Sequence, residues 1–206
     1  MIFYLDNGHG RHQAGKRSLP FLYEDREVVF EEWRFNRNVV AGIIALNNAS
    51  PAPLDIVHVS PQPEDLGQWL GGRVAVANSD MIRRQVPVGE ALFISVHANS
   101  VGLRWDDPSG FEAWHCKGSS LSEYYAGVFA NNLPGELGLR NRGVKASSDM
   151  YVLVNTHMPA VLLELGFYSN LAEVKRLYSH DFQQQAAGRI YATMRYLDEM
   201  AGKAPV

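Results

Sequence analysis

A chain of 206 residues and 23.0 kDa has the length of one domain, enough to bury about 70% of the surface it exposes when unfolded. Its 46% hydrophobic and 20% charged residues exclude a disordered chain, and a net charge of −3 without a Lys/Arg run argues against a nucleic-acid partner. The single cysteine, Cys116, excludes an intramolecular disulfide and a four-cysteine zinc module, and no run of about 18 apolar residues is present to cross a membrane.

Residues 1–6 turn polar too early for a signal peptide and lack a basic leader, so synthesis in the cytoplasm is expected. Residues 2–5 predict a short buried strand, ended by Asp6-Asn7-Gly8-His9-Gly10, where small residues permit a sharp turn. Residues 11–31 are polar and read as a long loop with a short strand at 27–30. A helix follows from Glu32 to about Asn47, with Phe35, Val39, Ile43 and Leu46 on its apolar face. Residues 54–59 predict the second main strand, and Pro61-Gln62-Pro63 a turn. Residues 71–84 predict a helix with Val74, Ala77 and Met81 inward, and the apolar run 91–96 an interior parallel strand that ends at His97-Ala98-Asn99.

Another strand is expected at 111–115. Ser120 and Glu123 have capping-box spacing for a helix to about Leu133, and residues 134–148 read as loop. Residues 151–154 and 160–165 are the last strand candidates. Asn170 caps a helix to about Tyr178, and a final helix over 181–200 carries the stripe Phe182, Ala186, Ile190, Met194 and Leu197. The alternation predicts an α/β fold in three layers, a central mixed or mostly parallel sheet with helices on both faces. One domain over 1–200 and a tail at 201–206 are expected.

In such folds ligands gather at the carboxyl ends of the strands. His9 and His97 follow two of these strands, Glu164 lies near the end of a third, and Glu32 starts the first long helix. Two imidazoles and a carboxylate can hold a catalytic zinc with one position open to water, and a further carboxylate must then move protons. Glu164, flanked by Val161-Leu162-Leu163 and Leu165-Gly166-Phe167, is too enclosed for an idle surface acid. Asp6 could orient a histidine ring or the turn, and Asn36 the ligand loop. Other assignments stay open on spacing alone: structural histidines, a solvated first-turn Glu32, or Glu164 paired with an arginine. His12, in a Gly-rich loop, suits surface or substrate contact, His115-Cys116 suits strand-end packing, and His58, His157 and His180 are structural or exposed.

Four segments resemble the zinc-dependent N-acetylmuramoyl-L-alanine amidases, the catalytic domains of bacterial autolysins and phage endolysins. They are Leu5-Asp6-Asn7-Gly8-His9-Gly10, Glu32-Trp33-Arg34-Phe35-Asn36, Leu92-Phe93-Ile94-Ser95-Val96-His97-Ala98-Asn99, and Pro159-Ala160-Val161-Leu162-Leu163-Glu164-Leu165-Gly166-Phe167-Tyr168-Ser169-Asn170. The resemblance implies one zinc per chain on His9, Glu32 and His97, and Glu164 as the catalytic glutamate. It implies hydrolysis of the amide between the lactyl group of N-acetylmuramic acid and L-alanine in peptidoglycan. The chain departs from the family opening at Asn7, where proline is usual, and at Arg11, where a second glycine is usual. Arg140 resembles an arginine found before the late strands, and with Lys16 and Arg17 it is a candidate for substrate carboxylates. A phage-type lysin released after membrane opening and a catalytic domain separated from its context both fit, and the oligomeric state is open, a monomer being the simplest case. The rival functions are a zinc amidohydrolase or peptidase on another amide, and a cell-wall-binding protein without turnover.

Overall fold

Side chains on successive residues of a strand point to opposite faces, so a strand apolar throughout needs cover on both. The computed structural model describes residues 1–60 and 70–201; the expected turn at Pro61-Gln62-Pro63 and residues 202–206 of the expected tail lie outside them. Its strands are β1 (Ile2–Asn7), β2 (Phe21–Tyr23), β3 (Arg26–Val28), β4 (Asp55–His58), β5 (Ala91–Asn99), β6 (Phe111–Cys116), β7 (Asn141–Ser147) and β8 (Ala160–Phe167). Its helices are α1 (Glu32–Ala49), α2 (Leu70–Arg84), α3 (Ser120–Asn132), α4 (Tyr151–Val154), α5 (Leu171–Tyr178) and α6 (His180–Met200). The main sheet has the order β4-β1-β5-β8-β6-β7, parallel at every pairing except β6 with β8. β2 and β3 form a separate hairpin within the expected long loop. Among the described residues no helix is long and apolar enough to cross a membrane.

One face of the sheet presents Phe3, Leu5, Leu92, Ile94, Val96, Val161, Leu163 and Leu165 to a core closed by α1, α3, α5 and α6. The other presents Ile2, Tyr4, Ala91, Phe93, Ala160 and Leu162 to a smaller core with α2 and α4. The same alternation places Asp6 beyond Tyr4, Ser95 and His97 beyond Phe93, and Glu164 beyond Leu162. The polar residues therefore share the smaller face, at its carboxyl edge.

Several elements differ from those the sequence predicts. Residues 141–147, expected as loop, are the edge strand β7; none of its residues is fully buried, so no apolar alternation marks it. Residues 151–154, expected as a strand, form α4; Val152 and Leu153 are both buried, which suits one helical turn against the smaller core rather than a pleat. The cap of α3 is Ser119, whose Oγ accepts from Ser122 N, and not Ser120. Leu46 is exposed, and Asn47 takes the inward place by bonding both backbone groups of Leu54. β5 runs on to Asn99, so His97 lies inside the strand.

Candidate metal centre

The turn after β1 is held from several sides. Gly8 N donates to Val96 O (3.1 Å) and Asn36 Nδ2 donates to Gly8 O (2.8 Å). The left-handed residue is His9 itself, at φ 64, not a glycine. Gly8 is required for a different reason: a Cβ there would lie 2.0 Å from His97 Nε2. Glu32, 1% exposed, is the first residue of α1, where its backbone N–H donates to Lys16 O (3.1 Å). Glu164 pairs in register with His97 on one side and with Glu112 on the other.

Hydrogen bonding decides which ring nitrogens carry protons. His9 Nδ1 lies 2.7 Å from Gln13 Oε1, an acceptor, so Nδ1 holds the hydrogen and Nε2 presents its lone pair. Ser95 Oγ donates to Asp6 Oδ2 (2.6 Å) and must accept from His97 Nε2 (3.1 Å), which leaves the lone pair on His97 Nδ1. Both lone pairs face Glu32 Oε1, at 3.1 Å from His9 Nε2 and 3.0 Å from His97 Nδ1. Three acceptors so placed repel unless a cation lies between them. The three ligand atoms lie within 4.8 Å of one another, and bonds of about 2.0–2.1 Å to a tetrahedral zinc would set them about 3.3 Å apart. The second oxygen of Glu32 and Oε2 of Glu164 are buried with no hydrogen-bond partner among the described residues. His9, Glu32 and His97 thus fit one zinc ion per chain.

Burial pushes the Glu32 carboxyl up, but in the metal-free protein, where a proton takes the place of the cation between ring and carboxylate, His9 and then His97 outweigh this and hold it at about 2. Burial lowers the His97 imidazole and keeps it neutral, as a ligand must be. Glu164 goes the other way. Burial first, then the charges of Glu32 and Glu112, raise it well above the usual carboxylate range, with Lys16 opposing. Glu32, held low, and Glu164, held high, share one pocket of about 390 Å³, lined also by Lys16, Leu103 and Tyr168. Burial, with the Glu32 charge, keeps the Tyr168 phenol protonated.

The structure brings together His9, Glu32, His97 and Glu164, with Asp6 and Asn36 directly behind them. It does not bring in Arg140, whose side chain is exposed and whose carbonyl accepts from Phe111 N (2.8 Å). Arg142 is the nearer arginine, paired through Nε with Glu112 Oε1 (2.7 Å). Lys16 lines the pocket, His12 is exposed, and the backbone of Arg17 pairs with that of Glu31 in an isolated antiparallel β-bridge. His115 is buried at the strand end with Nδ1 donating to Cys116 O (3.0 Å), and His157 and His180 are exposed.

Three contributors escaped the sequence reading: Arg73, Ser95 and Glu112. Two had a signal. Arg73 continues the inward stripe of Ala77 and Met81 back by one turn, and Ser95 shares the strand face of Phe93 and His97. Glu112 had none, because its importance comes only from lying opposite Glu164 across β6 and β8.

The chain is similar to several known proteins. Protein YqiI of Bacillus subtilis (strain 168), itself uncharacterized, is 30% identical over 189 residues, covering 91% of this chain and 80% of that protein. The germination-specific N-acetylmuramoyl-L-alanine amidase of the same organism is 28% identical over 205 residues, 96% of this chain and 80% of its own. Three further curated relatives are longer, and the chain spans between 20% and 41% of their length. The solved catalytic domain of CwlV, an N-acetylmuramoyl-L-alanine amidase from Paenibacillus polymyxa var. colistinus, superimposes with a TM-score of 0.73 at 27% identity, over 96% of this chain and 98% of that one. The family model described as N-acetylmuramoyl-L-alanine amidase matches residues 3–196, the stretch that supplies all three ligand atoms and Glu164, and the chain belongs to that family.

Proposed function

We propose that this chain hydrolyses the amide joining the lactyl group of N-acetylmuramic acid to L-alanine in peptidoglycan, with His9, Glu32 and His97 holding zinc and Glu164 handling the proton. The observation that carries the reading is the convergence of His9 Nε2, His97 Nδ1 and a Glu32 oxygen on one point, in the same pocket as the buried Glu164. Zinc at that point supplies a Lewis acid that polarises a carbonyl and lowers the pKa of a water towards about 7.

The chain's own residues do the rest. Once Glu32 is neutralised, burial and Glu112 hold Glu164 up while Lys16 pulls it down. As a carboxylate its Oε2, buried in the shared pocket, takes a proton from water and, once protonated, returns it to the departing L-alanine nitrogen. Tyr168 and Leu103 narrow the pocket around the scissile bond. The substrate sets the place of action at the cell wall.

Digestion of purified peptidoglycan followed by mass spectrometry tests this. New L-alanine amino termini on intact glycan strands are expected. Any other released end overturns the bond assignment and favours a different amidohydrolase, and absence of turnover by zinc-loaded protein favours a binding role.

A further inference from the structure

Arg73 projects from α2 on the smaller face of the sheet and is 2% exposed, the largest of the fully buried side chains. A buried guanidinium is expensive to desolvate, so its partners identify what it does. Through NH1 it donates to Asp6 Oδ1 (2.9 Å) and Asn7 O (3.0 Å), and through NH2 to His9 O (2.7 Å). The last bond holds the carbonyl of the one residue in that turn with a left-handed backbone. Asp6, anchored by one oxygen, accepts from Ser95 Oγ with the other at 2.6 Å, a short charge-assisted bond. Ser95 then has only lone pairs left for His97 Nε2.

The sheet itself builds this chain of contacts. Asp6 and Ser95 are register partners across β1 and β5, and His97 is the next residue on the same face. One cation from a helix thus reaches both imidazoles by separate routes, through the backbone to His9 and through two side chains to His97.

We propose that Arg73 is the positioning residue of the metal centre. It locks the turn that aims His9 Nε2 at Glu32 and, through Asp6 and Ser95, sets the tautomer in which His97 ligates by Nδ1. It touches neither metal nor substrate. The assignment rests on the zinc reading above.

A role confined to folding would lower the melting temperature and leave the metal untouched, so the test reads the metal. Zinc affinity is measured by chelator competition, and cobalt-substituted protein is examined by visible absorption, for wild type, Ser95→Ala and Arg73→Lys. Ser95→Ala removes one hydroxyl and leaves the Arg73–Asp6 pair intact; its zinc Kd should rise about 10- to 100-fold with an altered cobalt spectrum. Arg73→Lys keeps the charge but not the fork that reaches Asp6 Oδ1, Asn7 O and His9 O together, and should weaken zinc at least as much. Wild-type Kd and spectrum in both folded variants would overturn the proposal.

If Arg73→Lys does not fold, long-range 1H–15N spectra of zinc-loaded wild type still decide. A protonated Nε2 and metal-bound Nδ1 on His97 support the relay, and the opposite pattern sinks it. Wild type that takes up no zinc would defeat the metal reading itself, and that failure appears before any variant is made.

Discussion

The two faces of the sheet are built from the same strands and do different work. The face under α1, α3, α5 and α6 is apolar along its length, from Phe3 and Leu92 to Leu165. The face under α2 and α4 is apolar only at the amino end and becomes Asp6, Ser95, His97, Glu112 and Glu164 at the carboxyl end. A strand residue cannot change face without shifting register, so the thick layer can supply stability while the thin one leaves its end open for chemistry. Glu32 joins the two, since α1 packs on the thick face and its first residue reaches over to the site.

Substitutions can break this division, and the largest effect is expected at the site. Glu164→Gln should keep zinc yet lower turnover of peptidoglycan by about a hundred- to ten-thousand-fold, read as release of L-alanine amino termini. Near-wild-type rates would remove Glu164 from the mechanism. On the thick face, Phe129→Ala empties a fully buried ring position and should lower unfolding free energy by about 3–5 kcal/mol in denaturant titration, with zinc affinity unchanged. A coupled loss of zinc would mean that the faces are not separable.

Gly8→Ala is expected to do the reverse. Its Cβ would collide with the His97 ring, so zinc affinity should fall about tenfold or more while the melting temperature of metal-free protein moves little. The smallest effect concerns His58, whose Nε2 donates to Asn7 Oδ1 (2.5 Å) behind the site. Burial, followed by the charge of Arg37, lowers it from 6.5 to about 4. Between those values the unfolded chain binds the extra proton and the folded one does not, so acid favours unfolding there. Melting temperature should therefore drop from pH about 6.5 to about 4 less steeply in His58→Gln than in wild type, and parallel curves would discount His58.

Legibility followed the physics of each element. Helices with a sustained inward stripe, such as Val74, Ala77 and Met81 or Phe182 to Leu197, were readable because 3.6-residue periodicity is a local property. β7 and α4 were not: one is a half-exposed edge, and the other is a four-residue apolar run whose conformation depends on what it packs against. The ligands were readable as residue types at strand ends and a helix start, and the family resemblance singled out Glu32 among first-turn acids.

What the sequence by itself determined is the alternation of buried strands and amphipathic helices, and, through the family resemblance, His9, Glu32, His97 and Glu164 as the candidate set. Only the tertiary structure decided which nitrogen of each histidine faces the metal point, that Glu112 stands opposite Glu164, and that Arg73 lies behind both histidines. Those relations join residues tens of positions apart through register and desolvation, and they come into being only when the strands pair and water leaves.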